Sequence, residues 1–71
     1  MKAAKQAFMA EAFDLFLQVS AAGQDQYISL QVYNDCSGGV YDRDDNELAY
    51  FDMSTTGLTQ LQSLLTRMTK S

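Results

Sequence analysis

The sequence predicts an α+β domain in the order helix, three-stranded antiparallel β-meander, helix (α-β-β-β-α), with both helices packed on one face of the sheet. Three observations carry this reading. A run rich in Ala, Leu, Met and Gln fills the first third of the chain, residues Tyr27 to Tyr33 alternate in polarity, and leucines return at helical spacing from Leu58 onward. With 71 residues there is room for one core, because a chain this short buries only roughly 60% of its unfolded surface. Residues 1–71 are therefore expected to form a single domain.

The first helix is expected from about Lys2 to Ala22, composed of residues that sit comfortably in helices, with Gly23 ending it. Phe8, Ala12, Leu15, Phe16 and Val19 fall on one arc at 100° per residue, and that arc is the predicted core face. Met9, Phe13 and Leu17 form a second row at i, i+4 and i+8 that widens the apolar stripe. Such a row either enlarges the core or docks another chain.

Tyr27 to Tyr33 read as the first strand, with Ile28, Leu30 and Val32 on one face and Tyr27, Ser29, Gln31 and Tyr33 on the other. Asn34 to Gly39 are turn formers, because Asn, Asp and Ser bond to nearby backbone and Gly accepts positive φ. A second strand is expected over Val40 to Arg43, a three-residue loop over Asp44, Asp45 and Asn46, and a third strand from Glu47 to Met53. That loop pairs Tyr41 with Ala49. It sets Tyr41, Ala49, Phe51 and Met53 on one surface and Val40, Leu48 and Tyr50 on the other, with Ala49, Phe51 and Met53 as the inward set. A slip of one residue regroups the two strands. Ser54, Thr55 and Thr56 offer N-cap oxygens to a second helix that holds Leu58, Leu61, Leu64, Leu65 and Met68 and runs to about Thr69, its last turn carrying Arg67 and Lys70.

Hydrophobic residues make up 46% of the chain, well above the composition of a disordered segment. A formal charge of −4 conceals an uneven layout: Lys2, Lys5, Arg67 and Lys70 stand near the ends, and Arg43 is the one cation among the acids between them. Such a distribution repels phosphates and anionic headgroups, so neither direct nucleic-acid binding nor a membrane is expected. Gln6, Glu11 and Asp14 interrupt the apolar character of the N-terminal run, and Cys36 is the lone cysteine. Together these suggest a cytoplasmic protein without a secretory leader.

Zero histidine removes the commonest general base and the usual partner of a nucleophilic Ser or Cys. With one cysteine besides, neither an intrachain disulfide nor a Cys/His zinc site can form. Cys36 is followed by Ser37, Gly38 and Gly39, whose amides could favour a thiolate, but Asp35 beside it works the other way. Asp42, Asp44 and Asn46 match the start of a calcium loop until Glu47 takes the glycine position and Met53 the final glutamate. Paired carboxylates at a hairpin tip offer no cleft for hydrolysis, and Gly38 and Gly39 lack the Lys and spacing of a phosphate loop. No catalytic residue, cofactor or metal is expected.

What remains is recognition. Tyrosines on an uncovered sheet face, set among acids, suit a surface that binds a larger protein with a basic face. The candidate residues are Tyr33, Asp35, Tyr41, Asp42, Asp44, Asp45, Glu47 and Tyr50. Such a surface imitates a phosphate backbone, so a nucleic-acid-handling protein is the expected target and the chain its inhibitor. In size and charge the chain resembles virus-encoded inhibitors of bacterial defence, including phage anti-CRISPR proteins, which implies the same kind of partner. The alternative is a homo-oligomeric structural or regulatory subunit, a homodimer being the simplest, associating through Met9, Phe13 and Leu17.

Overall fold

The computed structural model describes residues 2–70, with side chains from Ala4 to Lys70; the side chain of Lys2, among the terminal cations above, lies outside the described residues. Five elements follow in the expected order: α1 (Lys2–Ala22), β1 (Ile28–Val32), β2 (Gly38–Asp42), β3 (Glu47–Phe51) and α2 (Thr59–Lys70). The strands form one antiparallel sheet in the order β1-β2-β3.

Two hairpins of the same design build the meander. In the first, Tyr33 N–H donates to Ser37 O and Cys36 N–H to Tyr33 O; in the second, Asp42 N–H donates to Asn46 O and Asp45 N–H to Asp42 O. Each is a turn of the type I hydrogen-bonding pattern followed by a left-handed residue, the usual form of a three-residue hairpin loop. Cys36 (φ 67°) and Asp45 (φ 65°) hold the left-handed positions. The second loop is therefore Arg43, Asp44 and Asp45, one residue earlier than the sequence suggests.

That shift changes the register. A regular ladder continuing from the Asp42/Asn46 pair would set Val40 opposite Leu48. Instead Tyr41 pairs with Glu47 and Val40 with Ala49, so Leu48 is the extra residue of a β-bulge. The bulge brings Val40, Ala49 and Phe51 to one face and Tyr41 and Tyr50 to the other. Two expectations are thereby corrected: Val40 lies in the core with Ala49 and Phe51, and Tyr41 lies on the opposite face from those two residues. Met53 is a third correction, since β3 ends at Phe51 and Met53 is 41% exposed.

The core is a single cluster of Ala12, Val19, Val40, Ala49, Phe51, Leu61 and Leu64, with Phe8, Met9, Leu15, Phe16, Ile28, Leu30, Leu48, Leu58, Leu65 and Met68 packed around it, so Leu48, expected on the surface opposite the inward set, is corrected as well. Both helices contribute to it, and the strand residues all project from one side of the sheet. Phe8 and Phe51 meet as a tilted ring pair with centroids 6.2 Å apart. The C-terminal ends of the helices also meet, with Met68 against Gly23.

The two glycines expected in the first turn instead open β2. A Cβ on Gly38 would clash with Gln31 O and stand 2.7 Å from the Phe51 ring, so the core face has no room there for a side chain. Gly39 serves the opposite face, as described below.

Helix α2 also closes one edge of the sheet. Gln60 Oε1 accepts from Tyr50 N–H at 2.8 Å, and Arg67 Nη2 donates to Leu48 O at 3.2 Å. Gln60 and Arg67 are seven residues apart, two helical turns, so one face of α2 holds the outward-pointing backbone of β3. The residues expected to cap this helix act differently: the amides of Ser54, Thr55 and Thr56 all donate to Asp52 Oδ1. Among the described residues, no helix is long and apolar enough to cross a membrane.

Candidate functional site

The face of the sheet turned away from the helices carries the tyrosines. Alternation from the register puts Tyr27, Ser29, Gln31 and Tyr33 along β1 and its ends, Gly39 and Tyr41 on β2, and Glu47 and Tyr50 on β3. Gly39 lies at the middle of this surface, paired with Gln31 on one side and Tyr50 on the other.

Tyr41 leans along its own strand over Gly39, where a Cβ would meet Tyr41 Cε1 and OH, each at 3.2 Å. A glycine in this row thus provides the floor for an aromatic ring. Tyr41 OH donates to Glu47 Oε2 at 3.5 Å, and Tyr33 OH donates to Gln31 Oε1 at 3.2 Å. Burial raises the Tyr41 phenol above its ordinary value of 10.0, and the neighbouring Tyr33 and the charge of Glu47 push it the same way. The tyrosine therefore stays a neutral donor beside a carboxylate across the physiological range.

Arg43, the cation between the strands, stands over the ring of Tyr27 with its guanidinium carbon 5.3 Å from the centroid. That is cation–π distance. Tyr33 itself is 53% exposed and Tyr27 58%.

The aspartates are arranged differently from the tyrosines. Asp35 sits at the tip between β1 and β2, whereas Asp42, Asp44 and Asp45 sit at the tip between β2 and β3. A five-residue strand spans about 16 Å at its usual rise, so the two tips flank the tyrosine band from opposite ends. The structure brings Tyr33, Tyr41, Glu47 and Tyr50 onto one face; it does not gather all the acids there.

Several of these carboxylates bind their own backbone. Asp35 Oδ1 accepts from Ser37 Oγ at 2.6 Å and from Ser37 N–H at 3.1 Å. The Ser37 hydroxyl, with its amide next in weight, lowers the Asp35 carboxyl below its ordinary value. Asp42 Oδ1 accepts from the amides of Asp44 and Asn46, both at 2.9 Å, and the Asn46 amide is the main cause of its lowered pKa. Asp52, absent from the expected site, is the strongest case: bound by three successive amides and the Thr55 hydroxyl, it falls to about 2. Asp52 is read from sequence as one more acid, though an Asp two to four residues before a Ser-Thr-Thr run is a legible signal for such a turn. All three remain charged at neutral pH while anchoring turns.

Of the second candidate row, Met9 packs against the core, while Phe13 is 53% and Leu17 50% exposed. Cys36 is buried in its turn. No group of three or more His, Cys, Asp or Glu side chains converges as a metal site among the described residues.

Comparison with protein-family models, curated proteins and solved structures returned no match.

Proposed function

We propose that this chain is a non-catalytic protein-binding module that presents the outer face of its sheet to a basic surface on a larger protein. The observation that supports it is the assembly of Tyr33, Tyr41, Tyr50 and Glu47 around Gly39 on the face opposite both helices. Phenol rings supply contact area with little rotamer entropy to lose, and their hydroxyls remain able to hydrogen-bond. The flanking acids of both hairpin tips supply long-range attraction for a cationic partner.

A basic surface of this kind is most often one that handles nucleic acid, and occupying it makes the chain an inhibitor. Its setting in this reading is the cytoplasm, where phage-encoded anti-defence proteins meet such targets. The test is affinity capture followed by salt and polyanion titration of the recovered complex. A complex that weakens steeply with salt and is displaced by nucleic acid supports the reading; one indifferent to both contradicts it.

The exposure of Phe13 and Leu17 favours a second reading, a homo-oligomeric subunit that buries this row across a two-fold axis. Sedimentation of a folded Phe13→Glu variant decides it. An unchanged mass removes the row as an oligomer contact.

A further inference from the structure

We infer that the Tyr33/Tyr41/Glu47 patch is a receptor for an arginine side chain of the partner, and that it selects guanidinium over ammonium. This rests on the binding-module reading above and specifies its chemistry. The chain itself displays the arrangement once: at the base of the same face, Arg43 covers the ring of Tyr27. Tyr33, at the opposite end of that face, is 53% exposed, and between the two ends Tyr41 leans over Gly39 with its hydroxyl against Glu47.

Charge complementarity names the occupant. A guanidinium is planar and weakly hydrated, stacks on an aromatic face, and forks two N–H donors to a carboxylate; an ammonium is a compact, strongly hydrated point charge. Glu47 Oε2 accepts from Tyr41 OH, which leaves Oε1 and the remaining lone pairs of Oε2 for the incoming fork. Among the described residues, Arg43 is engaged on the Tyr27 ring, and Arg67 donates to Leu48 O at the edge of β3. The patch thus combines what Arg43 finds on Tyr27 with an acceptor that Tyr27 lacks.

The experiment is a titration of the full chain at low salt with hexa-arginine and hexa-lysine peptides, read by calorimetry and by tyrosine ring NMR signals. Expected is a preference for hexa-arginine of about five- to tenfold. Tyr33→Leu and Tyr41→Leu should each lower that ratio toward one, Tyr41→Phe should keep most of it, and Glu47→Gln should weaken hexa-arginine more than hexa-lysine. Tyr33 is exposed, so its substitution serves even where Tyr41→Leu fails to fold. Equal binding of the two peptides overturns the arginine receptor but leaves a face that reads charge alone. A preference that survives both leucine substitutions also overturns it, and failure of both peptides to bind removes the basic-surface reading along with it.

Discussion

Asp52 shows how one carboxylate can hold a turn together. Its Oδ1 collects the amides of Ser54, Thr55 and Thr56 as the chain leaves β3, and its pKa falls from 3.8 to about 2. A carboxyl with a lowered folded pKa contributes stability that is present above its unfolded value and lost as pH falls through the folded one. Wild-type protein should therefore lose stability between about pH 4 and pH 2, with Asp35 and Asp42 adding in the same direction. Asp52→Ala should be less stable at pH 7 and show a flatter dependence across that window, as measured by urea midpoints at each pH. A second residue-scale prediction concerns the glycines of β2. Gly38→Ala must displace the Gln31 carbonyl and the Phe51 ring, and overpacking of this kind costs about 1–3 kcal/mol or more; thermal melting checks it. At this scale the sequence is ambiguous because an aspartate bound to its own turn and an aspartate offered to a partner have the same composition. Asp35 and Asp42 are candidates for the second role and also perform the first, whereas alternation along β1 places Tyr27 and Tyr33 on one face directly.

The elements were legible wherever periodicity was undisturbed. The core face of α1, the alternation of β1 and the leucine spacing of α2 follow from side-chain repeat: Ala12, Val19, Leu61 and Leu64 are buried and Ile28 and Leu30 pack against the core, while Val32, at the end of β1, is 47% exposed. The pairing of β2 with β3 was not, because register there depends on where the loop closes and on the bulge at Leu48. Neither has a periodic signature: the earlier loop moves each cross-strand partner by two residues and keeps the facing, and the bulge alone exchanges it. The edges of the sheet differ in a way only the assembled elements reveal. Alternation of the β1–β2 ladder turns the amides of Ile28, Leu30 and Val32 outward, whereas on β3 the Tyr50 amide is held by Gln60. Amide exchange should accordingly find Tyr50 protected despite its edge position. Gln60→Ala should forfeit about 1 kcal/mol of that protection, several-fold in exchange rate, while leaving the β1–β2 ladder unchanged.

At the scale of the molecule, two helices and one sheet face make the core, and the helices leave the other sheet face uncovered. The order of elements was readable from sequence; which tyrosines would share that free face was not, since it required the bulge. Charge follows the same division. Acids stand at both hairpin tips and along α1, Glu47 lies on the tyrosine face, Asp52 holds the turn after β3, and Arg67 donates to the β3 edge. The central claim is that binding occurs on the tyrosine face. Amide and ring chemical-shift mapping of the labelled chain in its captured complex tests it most directly. The account predicts the largest changes at Tyr33, Gly39, Tyr41, Glu47 and Tyr50, with the helices quiet; changes centred on Phe13 and Leu17 that leave the tyrosine rings untouched would contradict it.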